Sequence, residues 1–541
     1  DVIAFIKSAV GIPDKEPFIR VKIKSSQAIY KAVVTDDMES EVLRNEQPPA
    51  ELTVYSLFPL ESGRKYRIFY KRFPHPLQNQ NIVGIVTNLE ESDTSVRKFK
   101  VNDGVLESLK CFQAEKGKLN EKMDELAERV KAIAGPETMK ELAWMVDLFY
   151  HTPLEFMFGD RKERGYLDMM IVGEPRSGKS QTTQALLNTY ELGTIVSLKT
   201  ASRAGLIGGS EQTSSGYRSR LGIIPRNHEG AIIFEEFSGG GKYIIRELTE
   251  IRSSNMVRID KVNGSTRVPA MVRMLSISNT ATDKEGNSIP IRQYPNGIKI
   301  LLDLIGASED IARYDLFLLV DKPKTYVSPT TKIDLEAFPK ESYKNRVRWI
   351  WSRKPEQVRI NRQVQEFIVE CANNLNKKYD SHLQFFGAEA WKKLSRVAIA
   401  TAAMVCSIDE TGENLVVTEE HVQWAMKFMI SCYDNEVFRL RQYVEEQRKY
   451  ATCNEQAVQA LQGIYNTNPT LVEQLEMSTS MTLAHLRSIS GLSNDDFNKL
   501  VNRLAECYFI HYGEKIVPSE RFRLAASRIN RDAYVKGVGG L

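Results

Sequence analysis

The residues best placed to do chemistry are Gly173-Glu174-Pro175-Arg176-Ser177-Gly178-Lys179-Ser180, a complete G-x-x-x-x-G-K-S. They follow the apolar run 167–172 and precede the helical pattern 181–190, the strand–loop–helix setting this motif requires. Glycines at these positions let backbone N–H groups curl around phosphates, and a helix N-terminus adds its dipole. Lys179 is then expected to neutralise β- and γ-phosphate charge, and Ser180 to hold Mg²⁺. A chance glycine turn ahead of a helix is the bland alternative; strand, loop and helix in register argue against it. The expected ligands are ATP and Mg²⁺.

A second candidate lies downstream. The apolar run 231–234 ends in Glu235-Glu236. A carboxylate at the carboxyl end of a sheet strand beside a phosphate loop can bind Mg²⁺ through water, and its neighbour can polarise the attacking water. Glu235 is assigned to the metal and Glu236 to the water; an isolated acidic pair at a strand end is otherwise a solvated surface feature. The next apolar run ends in Asn279, whose amide could orient that water or touch the γ-phosphate, though an Asn after a strand is more often a turn residue.

These residues need a sheet to carry them. From about 136 to 321, short apolar strands (167–172, 230–237, 272–279, 314–321) alternate with helical patterns, as in a parallel sheet covered on both faces. The expected fold class is α/β: a P-loop ATPase core over 136–330 with a helical lid over 331–447. Residues 1–114 read as short β-type runs, expected to form a small OB-like barrel, and 115–135 as a connecting helix. The end of the chain, 448–541, reads as helices, a turn at Gly491, an N-cap at Ser493, a further helix and a β-ribbon around 516–522, a winged-helix pattern.

Bulk composition excludes several classes. Lys and Arg total 73 against 69 Asp and Glu, so DNA affinity must come from local patches rather than overall charge. Cys111, Cys371, Cys406, Cys432, Cys453 and Cys507 form no C-x-x-C pair, which argues against zinc and against a disulfide framework. No apolar run suits a membrane span or a signal peptide, so a cytoplasmic or nucleoid-associated setting (nuclear in a eukaryote) is expected. A chain opening with Asp1 reads as a piece of a longer product.

The order of motifs resembles the minichromosome maintenance (MCM) family of AAA+ DNA helicases, from about Leu126 to Met429. The loop shares Pro175 and the Lys179-Ser180-Gln181 element, with Gly178 where many members carry Ala. Residues 203–209 are similar to the segment opening the family's helix-2 insert, and 230–237 to its acidic motif, with Glu235 replacing the usual Asp. Residues 257–279 are similar to the pre-sensor hairpin and polar sensor, which puts Lys261 on the lysine that reaches DNA. Residues 311–321 resemble the Ser-Arg-Phe-Asp motif, making Arg313 the candidate arginine finger, with Ala312 and Tyr314 departing from it. The lid sensor arginine has no clean counterpart: Glu389 falls there, leaving Arg396 as substitute. The family's zinc module has no counterpart either, as in a divergent member of the kind a phage or mobile element carries.

The resemblance implies a homo-hexameric ring with ATP between subunits, Arg313 serving a neighbour's nucleotide, and unwinding of duplex DNA during replication, with a primase or other replication proteins as further partners. Additional DNA contacts are expected in the N-terminal domain, where Arg64, Lys65, Arg67, Lys71 and Arg72 interleave with Tyr66, Phe69, Tyr70 and Phe73. A strand with one buried aromatic face and one solvated basic face is an equal alternative. In the tail, Lys499 and Arg503 share a helix face, and Arg521 and Arg523 are expected on the wing. Two other functions fit the same core: a remodeller of protein complexes, and a nucleotide-switch initiator or loader. The polar, basic 263–267 favours nucleic acid over polypeptide.

Overall fold

The computed structural model describes residues 30–35, 51–60, 66–75, 78–91, 99–213, 216–261, 264–283, 285–322, 338–379, 385–513 and 515–538. The chain divides into two compact units, Asp1–Leu375 with Ala388–Tyr433, and Asn376–Gly387 with Asp434–Leu541.

The first unit begins with β1 (Tyr30–Thr35), β2 (Glu51–Ser56), β3 (Tyr66–His75) and β4 (Gln78–Glu91), joined in the order β1-β2-β4-β3. Strands β2 and β4 run parallel and the other pairs antiparallel, with a register shift between Phe69 and Tyr70. Among the described residues this is one open sheet, and no further strand closes it into the expected barrel. The connecting helix forms over Leu119–Ala134 and buries Leu119, Met123, Leu126, Val130 and Ala134 at helical spacing.

A hairpin of β5 (Glu155–Phe158) and β6 (Arg161–Arg164) leads into the core. There β7 (Asp168–Gly173) and β8 (Thr194–Ser197) are followed by a hairpin, β9 (Gly208–Thr213) with β10 (Gly216–Leu221). Next come β11 (Ala231–Glu235), a second hairpin of β12 (Met256–Lys261) and β13 (Gly264–Pro269), then β14 (Arg273–Ser278) and β15 (Leu316–Val320). The five core strands pair in the order β15-β7-β14-β11-β8, all parallel. Every residue of β7, β14 and β15 is buried, which suits their largely apolar sequences, although Asp168, Arg273, Ser276 and Ser278 are buried with them. Parallel pairing puts all five carboxyl ends on one edge, where open α/β sheets bind ligands. The two hairpins lie against each other through β9, β10 and β12.

The helical segment after the sheet contains Lys340–Trp351, Arg362–Tyr379, Ala390–Met404 and Glu419–Tyr433, with a short parallel pair, β16 (Val358–Ile360) and β17 (Leu415–Val417). The second unit packs Leu461, Ile464, Leu475, Leu486, Leu504, Phe509 and Phe522 into its own core. Gly491 ends one helix in the left-handed region (φ 63°), and Ser493 Oγ accepts from Asp496 N at 3.3 Å to start the next, as the sequence predicts. The ribbon is shorter than expected: β18 (Ile510–Tyr512) pairs with β19 (Ile516–Pro518). Ser519 Oγ accepts from Phe522 N and the chain turns helical from Glu520, so Arg521 and Arg523 stand on a helix rather than a wing. Both are tied to carbonyls of their own unit, Arg521 to Thr452 and Arg523 to Ser478. Among the described residues no helix is long and apolar enough to cross a membrane.

Candidate functional site

The glycine loop is built by close approach and left-handed turns. At the end of β7 a Cβ on Gly173 would stand 2.5 Å from the Val320 carbonyl oxygen of β15, so only glycine fits there. The chain then passes through φ 64° at Arg176 and φ 81° at Gly178 before the helix Lys179–Tyr190 begins. The first N–H groups of that helix have no partner within it and point toward the loop.

Lys179 lies inside this turn, 6% exposed. Its ammonium donates to Gly173 O (2.9 Å), Glu174 O (2.7 Å) and Ser177 Oγ (3.0 Å). Burial pushes its pKa down to about 8, against the opposing pull of Glu174. The buried Glu174 carboxylate accepts from Ile291 N at 3.2 Å and pairs with Lys322 at 2.9 Å, fastening the loop to the segment beyond β14 and the end of β15. Pro175 and Arg176 form the exposed tip.

The polar strand ends converge on the same edge. Strand β14 lies between β7 and β11, pairing Ser278 with Val172 and Ser276 with Phe234. Asn279, one residue past β14, places Oδ1 3.4 Å from Lys179 Nζ. On the other side, Ser238 N donates to Ser278 Oγ at 3.1 Å, locking the chain after Glu236 to the end of β14. Glu235 is half-buried at the end of β11. Glu236 is exposed and left-handed (φ 52°), a conformation uncommon for a residue with a Cβ and frequent at functional positions. Ser197 Oγ, at the end of β8, donates to Glu236 Oε2 at 2.5 Å.

Ser180 is exposed in the first helical turn, while Gln181 turns away, donating to the Ala134 carbonyl at 2.5 Å. Beside Gln181 opens a cleft of about 830 Å³, bordered by Ala134, Gln184, Tyr343 and Phe338, whose ring carries the Arg129 guanidinium 3.4 Å from its centroid. This donor set fits a magnesium nucleotide. The loop offers N–H groups and an ammonium to phosphates, and Ser180 and Glu235 offer hard oxygens. Among the described residues no cluster of three His, Cys, Asp or Glu side chains forms. Mg²⁺ needs none, because it takes one or two protein oxygens and the rest from phosphate and water.

Two expected site residues lie at the opposite edge of the sheet. Arg313 precedes β15, whose Leu316 pairs with Met169 at the start of β7, whereas Val320 pairs with Gly173. The strand alone separates them by about 13 Å, beyond the reach of an arginine side chain. Arg313 is exposed and donates to Ser253 Oγ at 2.8 Å. Arg396 is 5% exposed, paired with Asp315, and donates to the Arg164 carbonyl at 2.9 Å. Lys261 closes β12 opposite Gly264; its side chain lies outside the described residues. So do Arg64, Lys65 and the side chain of Arg67. Lys71 and Arg72 are exposed on β3, Arg72 donating to Tyr70 Oη at 3.1 Å, and Phe69 beside them is 44% exposed. Lys499 and Arg503 are exposed on the helix Asn494–Glu506.

Sequence reasoning missed Glu174, Ser197 and Asp315. Glu174 had a usable signal, an acid inside a glycine loop otherwise suited to an anion. Ser197 and Asp315 gain meaning only from strand order, which no local pattern reports. Compared with known proteins, the chain matches no family model and no curated sequence.

Proposed function

We propose that the chain is an ATP-hydrolysing motor on DNA, an MCM-like AAA+ helicase that works as a homo-hexameric ring. The observation that carries this reading is the meeting of Lys179 and Asn279 at 3.4 Å on the sheet edge that also ends in Glu235 and Glu236. A phosphate-binding cation, a neutral amide and two carboxylates on one edge are the parts hydrolysis of a triphosphate requires.

When bound, Mg²⁺ supplies charge neutralisation between the phosphates and orients them. The chain's own groups do the rest. Lys179 leaves its loop carbonyls for the β- and γ-phosphate oxygens; Ser180 and Glu235 hold the metal side. Glu236 takes a proton from the attacking water, and Asn279 orients that water by hydrogen bonding. Ser197 holds the Glu236 carboxylate, so this bond must loosen or turn for Glu236 to face the water.

The position of Arg313 supports a shared site: its distance from Lys179 in the same chain leaves a neighbouring subunit's nucleotide as the one it can serve. Support for DNA comes from the β12–β13 hairpin, where exposed Arg258 and Arg267 face each other across the strands. Exposed guanidinium groups on one hairpin can contact a phosphate backbone. The test is ATP hydrolysis with and without single-stranded DNA. Stimulation that fades with added salt and is lost in Lys261→Ala supports the motor; hydrolysis indifferent to DNA but raised by a protein partner favours a remodeller.

A further inference from the structure

Two side chains of one helix hold the backbone on either side of Arg313. Lys393 and Arg396 stand three residues apart on the lid helix Ala390–Met404, hence on one face, and are 4% and 5% exposed. The Lys393 ammonium donates at 2.7 Å to the carbonyl of Ala312, the last residue of the short helix Ser308–Ala312. A carbonyl in that position has no partner within its helix. Arg396 pairs through Nη1 with Oδ1 of Asp315. The other oxygen of Asp315 accepts from Asp168 N (2.8 Å) and Arg164 Nη2 (2.9 Å), tying the residue to the start of β7. Between them Tyr314 is buried, its ring 4.1 Å from the Arg252 guanidinium. Of residues 312–315, Arg313 alone is exposed.

Burying an ammonium opposes its charge and pushes the Lys393 pKa down to about 8, although Asp315 pulls the other way. An apolar residue at 393 would carry no such penalty. The lysine is held there against that penalty, with its hydrogen bond aimed at the residue next to Arg313.

We infer that Lys393 and Arg396 are positioning residues for Arg313: they clamp segment 312–315 to the lid helix, so the orientation of one subunit's lid sets where its arginine meets the next subunit's nucleotide. The inference rests on Arg313 acting across a subunit boundary.

Lys393→Met removes the donor and keeps an unbranched side chain. Its kcat for ATP hydrolysis is expected to fall about 10- to 100-fold, the scale of an ångström-sized misplacement. KM stays near wild type, because its own phosphate loop is intact. Lys393→Arg, which keeps a donor for the Ala312 carbonyl, recovers most of the lost turnover. Subunit mixing then separates positioning from general damage. Mixed with Lys179→Ala chains, Lys393→Met recovers hydrolysis, since its loops meet an intact Arg313 segment on the neighbour. Mixed with Arg313→Ala chains it does not, since both supply a defective arginine. Recovery with Arg313→Ala, recovery in neither mixture, or unchanged kcat in Lys393→Met overturns the inference. If Lys393→Met does not fold, Arg396→Gln passes through the same two mixtures, where the same outcomes support or overturn the inference. Wild-type turnover in Arg313→Ala alone would instead sink the shared-site reading.

Discussion

The Lys179 ammonium and the Asn279 amide oxygen stand 3.4 Å apart, bridging the ends of β7 and β14 although a hundred positions separate them in the chain. Asn279→Ala leaves Lys179 its three loop acceptors but removes the amide from the reacting edge. The expected result is a fall in kcat of about 10²- to 10³-fold, the usual scale for losing one oriented polar group in a reaction centre, with ATP affinity within a few fold of wild type. Steady-state hydrolysis and equilibrium nucleotide binding check the two halves separately.

On the proposed function, nucleotide affinity should carry the signature of Lys179. Burial lowers its pKa to about 8 in the free protein, and phosphate contact favours the charged form. Below pH 8 the lysine is already protonated and affinity is flat on its account. Above pH 8 the free protein has lost that proton and binding must take one up, so affinity falls by up to about tenfold per pH unit. Titrating ATP binding between pH 7 and 9.5 reads this slope, which Lys179→Arg removes.

Gly173→Ala tests the closeness of β7 and β15. Its Cβ would sit 2.5 Å from a backbone oxygen that cannot swing aside, so the loop must shift. A loss of about 1–3 kcal/mol in stability is expected, together with weaker ATP binding. A melting temperature and a dissociation constant both equal to wild type would contradict the tight crossing.

The loop was legible because its residues are contiguous: one stretch of eight carries the turn, the buried ammonium of Lys179 and the exposed hydroxyl of Ser180. Glu235, Glu236 and Asn279 were legible because each ends an apolar run, and parallel strands bring such ends together. Arg396 was not. Its partner Asp315 lies 81 positions away, and only the folded helix face reveals that both it and Lys393 point at the segment around Arg313. The ribbon was misjudged at Arg521 and Arg523 because Ser519 caps a helix there, a local bond that competes with strand extension in a sequence suiting either.

His421 gives the helical segment an acid sensitivity. Burial lowers its pKa from 6.5 to about 4, and its Nδ1 accepts from Thr418 N at 3.0 Å. Above pH 6.5 both folded and unfolded chains hold it neutral, and its contribution is complete. As pH falls from 6.5 toward 4 the unfolded chain takes up a proton that the folded chain refuses, so stability drops by on the order of 3 kcal/mol across that window. Relative to His421→Gln, the wild-type melting temperature should fall as pH drops from 6.5 to 4; parallel curves would count against this assignment.

Whether a nucleotide is gripped by Lys179 of one subunit and completed by Arg313 of another can be read by mixing two inactive chains. Lys179→Ala and Arg313→Ala each lose ATP hydrolysis alone, but where an Arg313→Ala loop meets a Lys179→Ala neighbour both groups are present. Combining the chains with DNA and Mg²⁺ is expected to restore a substantial fraction of wild-type turnover. Activity no greater than the sum of the two separate preparations, in a mixture verified to contain hybrid assemblies, would contradict it.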